Sequence, residues 1–419
     1  MSRPVDLIPF DRWREPPPQN PLIMPFLWLW CWGATRSGRL HIRKVNMDGL
    51  KPPFLVLGTH HAFMDFYVTP LALFPHRANY VSELEGFEAF GEWKYRQVGC
   101  LGTRKFVSDL ALVRNIKRVM ERKGILVLYP EARYANVGTS SRLPASVGKL
   151  CKYLGVPVVT LNMKGNYLQS PIWNLKKRRG VPLEATIIQR FTAQDVAKAT
   201  PQEIQAAVAA DLTYDEYAYQ RERGIRIAEP WRAEGLHLPL YQCPRCGKAF
   251  VMDSKGSRLF CTVCGGEWTL GEEGLLHSGE GEEPVSIPDW YEWQRRQVEE
   301  EIETGRYRLD LPVRVEALPN AVNFIDLGPG RLRQTAEGFE LTFTDYGETL
   351  PRTQMFPASG CFSIHTEYDY RGKGQCVTLS TPDNTYFLFP LAEGFNATKI
   401  QFATEYLWLR SQKKPALIE

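Results

Sequence analysis

Near the start of this chain an apolar run closes on two histidines and a carboxylate. Phe54-Leu-Val-Leu-Gly58 is followed by Thr59-His60-His61-Ala62-Phe63-Met64-Asp65. His60 and Asp65 stand five residues apart. Across a turn, that spacing lets the carboxylate reach back to one imidazole nitrogen, which fixes the tautomer and supports a positive charge on the ring. The other nitrogen is then placed to take a proton from an incoming hydroxyl. Alone, the H-x4-D pattern is common by chance, and polar residues capping a strand end would give the same letters. His61, four residues from Asp65, is the rival base; its bland reading is a packing or substrate-lining residue.

A second set of residues has metal-ligand spacing. Cys243-Pro-Arg-Cys246 and Cys261-Thr-Val-Cys264 are two C-x-x-C knuckles with 14 residues between them, each followed by a glycine, Gly247 and Gly265. Four thiolates leave no ligand position for water, so the expected centre is a structural Zn2+ site, and the stretch resembles a zinc ribbon. The competing reading is a pair of redox dithiols. Lys248, Lys255 and Arg258 are offset by Asp253 and Glu267, so the ribbon carries no basic patch and no nucleic acid is expected as a partner.

Three further blocks follow His60 in order. Gly99-Cys-Leu-Gly-Thr-Arg-Lys105 places Arg104 and Lys105 in a glycine-containing loop suited to an anionic group. Leu128-Tyr-Pro-Glu-Ala-Arg-Tyr134 puts Glu131 and Arg133 just past a buried strand, where layered α/β proteins place ligands. Gly155-Val-Pro-Val-Val159 leads into the next strand.

These blocks together resemble the glycerolipid acyltransferases, the family of glycerol-3-phosphate and lysophosphatidic acid acyltransferases. Its four ordered blocks are H-x4-D, a glycine loop ending in arginine, F-P-E-G-T-R and a V-P-V strand. The resemblance spans roughly residues 39–190. It implies that His60 is the general base and Asp65 its orienting partner, the family spacing selecting His60 over His61. Arg104 and Arg133 would hold the acceptor's phosphate, with Lys105 a weaker candidate, and Glu131 would place its hydroxyl. The implied reaction moves a fatty acyl group from an acyl-CoA or acyl carrier protein thioester to a glycerol phosphate or lysophospholipid, 1-acylglycerol-3-phosphate first among them. Two positions depart from the pattern: Ala62 replaces the usual serine, and Ala132 alone replaces Gly-Thr. Both bear on the acceptor rather than on the chemistry. A reading from another class is a non-catalytic lipid- or protein-binding scaffold on an acyltransferase-like core.

The elements that must position these residues alternate strand and helix. Phe54–Gly58, Ile125–Glu131, Val156–Met163 and Leu183–Phe191 read as strands. Leu110–Gly124 reads as a helix with Leu110, Val113, Ile116 and Met120 on one face, and Ser146–Gly155 as a shorter one. Thr200-Pro-Gln-Glu203 is a capping box opening a helix that continues to Gly224. The fold class expected is α/β, an acyltransferase-type mixed sheet flanked by helices. A zinc ribbon and a C-terminal antiparallel β barrel with a closing helix, pleckstrin-homology-like in pattern, follow it. The expected divisions are 1–38, a proline-rich and apolar N-terminal segment; 39–230, the acyltransferase domain; 238–275, the ribbon; and 285–413, the β-rich domain. In the last, Arg371 and Lys373 sit on a hairpin tip that lipid phosphate would suit.

The 419 residues carry a net charge of +4, too mild to imply nucleic acid. Five cysteines outside the knuckles are scattered, an odd remainder that points to a reducing cytosol rather than a disulfide framework. No secretory signal is visible. Pro21–Ala34 is apolar with Trp28, Trp30 and Trp32 but only 14 residues long, short of the ~20 a spanning helix needs. Its indoles favour the bilayer interface, so a peripheral protein on the cytoplasmic face of a membrane is expected. The basic run Lys176-Lys-Arg-Arg179 would add an electrostatic contact.

Overall fold

The run Phe54–Gly58 is buried at every residue, and a largely parallel sheet is assembled around it. The structure, a computed structural model, describes residues 7–175, 178–279 and 281–413. The chain forms two units. One comprises Asp11–Thr103 and Asp109–Ile227; the other comprises Arg104–Ser108 and the chain from Ala228 onward, together with the N-terminal residues up to Phe10.

In the first unit the elements are α1 (Met24–Thr35), β1 (His41–Val45), β2 (Phe54–Gly58), α2 (Asp65–Leu73), β3 (Asn79–Glu83), α3 (Leu84–Phe90), α4 (Glu92–Gln97), β4 (Cys100–Thr103), α5 (Leu110–Glu121) and β5 (Ile125–Leu128). They continue with α6 (Ser146–Leu154), β6 (Val158–Lys164), α7 (Asn166–Gln169), β7 (Glu184–Phe191), α8 (Ala193–Lys198), α9 (Pro201–Asp211) and α10 (Glu216–Glu222). The sheet order is β1-β7-β6-β2-β5-β3-β4. All neighbours are parallel except β6 and β7. A strand with parallel neighbours on both sides has both faces covered, which is why β2 is apolar without alternation.

One face packs on α5, α6 and α9 through Leu55, Leu57, Ile116, Val119, Cys151 and Ile204. Truncating one of the leucines to Ala would cost about 2–5 kcal/mol. On α5, Asp109 is the N-cap, its side chain accepting from the amides of Ala111 and Leu112. The cap sets the helix rotation so that Leu110 points outward, 79% exposed, while Ala111, Ile116, Val119 and Met120 face the core. Leu110 is therefore not on the buried stripe expected for it. The capping box of Thr200 and Glu203 is formed, but the helix it opens ends at Asp211. Asp215 caps a new helix, α10, by accepting from Ala218. The expected single helix is two, and the break carries site residues.

In the second unit, β8 (Met252–Lys255), β9 (Arg258–Cys261), β10 (Glu267–Leu270), β11 (Leu275–His277) and β12 (Val285–Ser286) form an antiparallel sheet in the order β12-β11-β10-β9-β8. Then come α11 (Ile287–Glu303), β13 (Leu309–Ala317), β14 (Ile325–Thr335), β15 (Gly338–Thr344), β16 (Pro351–Pro357), β17 (His365–Glu367), β18 (Cys376–Ser380), β19 (Thr385–Pro390) and α12 (Ala397–Lys413). These seven strands lie in the order β16-β15-β14-β13-β19-β18-β17, every pair antiparallel.

The expected barrel is not closed: among the described residues the end strands β16 and β17 do not pair. β16 begins and ends in proline, as edge strands do. β17 has three residues, and α12 packs across it and the short turn before it.

Candidate active site and metal centre

β2, β5 and β6 run parallel; β2 and β5 end side by side at Gly58 and Leu128, while β6 runs on past Leu161, the partner of Gly58, to Lys164. The residues just beyond these ends build the site. His60 Nδ1 stands 3.2 Å from Asp65 Oδ2, so the pairing expected from the five-residue spacing is present. Asp65 opens α2, and its Oδ2 also accepts from the amides of His61 (2.6 Å) and Ala62 (3.2 Å). Its Oδ1 accepts from Asn166 Nδ2 at 2.6 Å. A carboxylate held by so many donors is fixed in place.

The His60 ring lies flat on Tyr129, centroids 4.6 Å apart, and against Tyr134 at 4.7 Å. The Tyr129 hydroxyl is bonded to Thr69 at 2.7 Å. Gly58 permits this stack, since a β-carbon there would lie 2.9 Å from the Tyr129 ring. The His60 side chain is 19% exposed against 1% for Asp65. Nδ1 is turned to the carboxylate, and Nε2 is the ring nitrogen that Asp65 does not engage.

Behind His60 titratable side chains crowd together. His61 is fully buried, its Nδ1 3.4 Å from Glu216 Oε1, also fully buried. Its ring stacks on Tyr214 at 3.7 Å. Glu216 accepts from the amide of Gly165 through both oxygens, at 2.9 and 3.0 Å. Burial on its own lowers the His61 pKa; Glu216, then Asp65 and Glu131, outweigh it and raise the group above its ordinary value.

Glu131 accepts from Ser141 N (2.8 Å), the Tyr214 hydroxyl (3.3 Å) and His60 N (3.5 Å). Burial raises its pKa, against the pull of Ser141 and the histidines. It thus pins the loop that carries His60, the place from which the resemblance has it position the acceptor's hydroxyl. Arg133 is buried on the same loop and donates to Ser141 Oγ at 3.2 Å. Ala132 between them has φ of +57°.

Arg104 and Lys105 require correction. Both belong to the second unit. The Arg104 guanidinium, 5% exposed, donates to the carbonyls of Leu318 (2.7 Å), Pro319 (2.7 Å) and Asp383 (3.1 Å) and to Thr385 Oγ1 (2.9 Å). A side chain whose donors are taken up by main chain is not one that holds a substrate phosphate. Lys105 Nζ lies 3.2 Å from the His365 ring nitrogens, and His365 lies 3.0 Å from Glu367. Burial pushes Glu367 up to about 7 while Lys105 pulls it back. Arg371 and Lys373 are likewise engaged, both paired to the buried Glu316.

Asn166, Tyr214 and Glu216 were not found from sequence. Asn166 follows β6 at Gly165, whose φ of +85° turns the chain back toward Asp65. Tyr214 and Glu216 flank Asp215. Asp215 as a helix cap was the legible signal.

On α1, Leu22, Phe26, Leu29, Trp30 and Trp32 are exposed at the helix and its lead-in, Trp30 and Trp32 by 52% and 53%. Trp28 instead packs edge-on to Phe74 at 5.0 Å, while Met24 and Cys31 are buried. No helix among the described residues is long and apolar enough to cross a membrane. In the basic run, Lys176 and Lys177 lie outside the described residues; Arg178 stacks over Tyr67 and Arg179 is buried against Trp173.

The four cysteines Cys243, Cys246, Cys261 and Cys264 bring their sulfurs within 4.8 Å of one another. Cys243–Cys264 and Cys246–Cys261 are 3.7 and 3.9 Å apart. Tetrahedral zinc with bonds of about 2.3 Å places its sulfurs about 3.8 Å apart. The cluster is compatible with zinc. Each knuckle turns the same way: Gly247 donates to the Cys243 carbonyl and Gly265 to that of Cys261, with φ of +74° and +69°.

No known family model matches the chain, and no curated protein matches it. Among solved structures, the 1-acyl-sn-glycerophosphate (LPA) acyltransferase PlsC from Thermotoga maritima is similar at 15% identity with a TM-score of 0.37, over 45% of this chain and 76% of its own.

Proposed function

We propose that this chain is an O-acyltransferase that moves a fatty acyl group from a thioester, acyl-CoA or acyl carrier protein, to a hydroxyl of a glycerol phosphate or lysophospholipid. The observation that carries the reading is the His60–Asp65 pair: a partly exposed imidazole, flanked by tyrosines and anchored at Nδ1, just beyond the end of the central parallel strand β2. The order of the four blocks supports the substrate class.

Asp65 accepts the hydrogen bond from Nδ1–H and fixes the tautomer. Nε2 removes the proton of the acceptor hydroxyl as its oxygen attacks the thioester carbonyl. The tetrahedral adduct then collapses, the C–S bond breaks, and the imidazolium returns its proton to the departing thiolate. Asp65 supports the imidazolium in between. Arg133, on the loop that stacks Tyr129 and Tyr134 against His60, is the cation assigned to the acceptor's phosphate. The four-cysteine centre takes a structural Zn2+ and contributes stability to its own strands rather than chemistry.

The exposed apolar residues of α1 are assigned to a lipid interface, which suits an acceptor that resides in a bilayer. The reading places the protein peripherally on the cytoplasmic face of a membrane.

Thiol release from acyl-CoA with 1-acylglycerol-3-phosphate as acceptor tests the reaction. Acceptor-dependent release that disappears in His60→Ala is expected. Binding of phospholipid vesicles that contain lysophospholipid, with no thiol release from acyl-CoA whichever acceptor of a lipid screen is supplied, would instead make the protein a non-catalytic scaffold.

A further inference from the structure

Three buried carboxylates converge behind His60, from three separate parts of the first unit. Asp65 comes from the start of α2, Glu131 from the loop after β5, and Glu216 from the start of α10. His61 stands among them with no solvent exposure, and neither of its ring nitrogens makes a well-angled hydrogen bond. A buried polar ring without hydrogen bonds costs about 1–3 kcal/mol unless an ion pair offsets it. The 3.4 Å approach of Glu216 to Nδ1 is that pair.

The segment Thr213-Tyr-Asp-Glu216 supplies the rest. Tyr214 covers one face of the His61 ring at 3.7 Å and donates its hydroxyl to Glu131. Burial keeps that phenol protonated, so it remains a donor. Glu216 holds Gly165, the residue before Asn166, and Asn166 holds Asp65. Both routes therefore end on the dyad: Glu216 to Gly165 to Asn166 to Asp65, and Tyr214 to Glu131 to the His60 amide.

We propose that Tyr214 and Glu216 are positioning residues for acyl transfer, acting through His61, Asn166 and Glu131 to hold the turn that presents His60 and Asp65. This rests on the proposed reaction. Neither residue touches a reacting atom. The groups facing His61 are Glu216 from α10, Tyr214 before it, Asp65 from α2 and Glu131 from the loop after β5, so its charge is set by carboxylates from three elements.

Glu216→Gln keeps the shape and removes the charge. With acyl-CoA and 1-acylglycerol-3-phosphate as substrates, kcat should fall about 10²-fold, as a small misplacement of a catalytic group does. KM for acyl-CoA should stay unchanged, and Glu216→Asp should recover part of the loss. By imidazole NMR, His61 should titrate above the ordinary histidine value in the wild type and below it in Glu216→Gln. Should Glu216→Gln not fold, Tyr214→Phe retains the ring stack and loses only the bond to Glu131; it should lower kcat while the protein stays folded at the assay temperature. An active wild type alongside a folded Glu216→Gln, or failing that a folded Tyr214→Phe, with unchanged kcat would overturn the inference alone. A wild type inactive on every acceptor would sink the proposed reaction, and with it the inference, even if the His61 titration behaved as expected.

Discussion

Asn166 donates to Asp65 across the end of the sheet, Nδ2 to Oδ1 at 2.6 Å, with both residues buried. Asp65 is thus clamped from two directions, by the His61 and Ala62 amides on one oxygen and by Asn166 on the other. A hydrogen bond to a charged partner contributes about 1.5–3 kcal/mol. Asn166→Ala should lower thermal stability by that order and reduce kcat with little change in KM for the donor. Retained kcat would mean that the amides alone orient Asp65.

His60 and His61 should separate on two axes. His60→Ala should lose ~10²–10⁴ in rate with a smaller loss of melting temperature than His61→Ala, because the His60 ring is partly exposed and that of His61 is not. His61→Ala strands Glu216 as a buried unpaired charge and should cost about 3–5 kcal/mol of stability. Paired rate and melting measurements read both, and the reverse pattern would reassign the base.

A pH effect follows from the same ring. Folded His61 holds its proton above the ordinary histidine value, while the unfolded chain releases it near about 6.5. Its contribution to stability is complete below that pH and is lost as pH rises through the folded value. Glu131, also raised, gives a loss of the same sign in a lower window that begins near about 4.5. Urea midpoints measured as a function of pH should fall across the upper window for the wild type and remain flat there for Glu216→Gln. A flat wild-type profile would mean that His61 is neutral.

The arginines should part company. Arg133→Ala should raise KM for the phosphate-bearing acceptor, by about 10-fold or more for a charge-assisted contact. Arg104→Ala should leave KM alone and destabilise the second unit, since three carbonyls and a hydroxyl lose their donor. An acceptor KM raised by Arg104→Ala at unchanged stability would restore the role that the sequence pattern gives it.

Elemental analysis should find about one zinc per chain. Cys246→Ser should lose the metal and loosen β8 to β10 while acyl transfer persists. Purified native protein without zinc would remove the metal from the account.

What the sequence revealed is local. The dyad, the strand ends around it, the capping box at Thr200 and the knuckles each follow from spacing within a few residues. The partners of Asp65 and His61 do not, because Asn166 and Glu216 lie 101 and 155 residues farther along the chain (216 − 61 = 155) and meet the turn only through the sheet. Arg104 failed for a related reason: an arginine after a glycine loop looks the same whether it faces a phosphate or four main-chain and hydroxyl oxygens. Barrel closure was equally illegible, since alternation gives the faces of strands but not whether the first and last strands meet.

The excursion of residues 104–108 also sets an order in time. Thr385, which accepts from Arg104, is 281 residues later in the chain. At roughly 5–20 residues per second of synthesis, Arg104 leaves the ribosome's peptidyl centre some 15–60 seconds before that partner is made. All the residues of the unit that carries His60 have by then been translated, and the last of them, ending at Ile227, precede the cysteine knuckles entirely. The loop that looks like a substrate clamp in the sequence is therefore a stitch left open during translation, and it cannot be drawn tight until the strands near the C-terminus arrive.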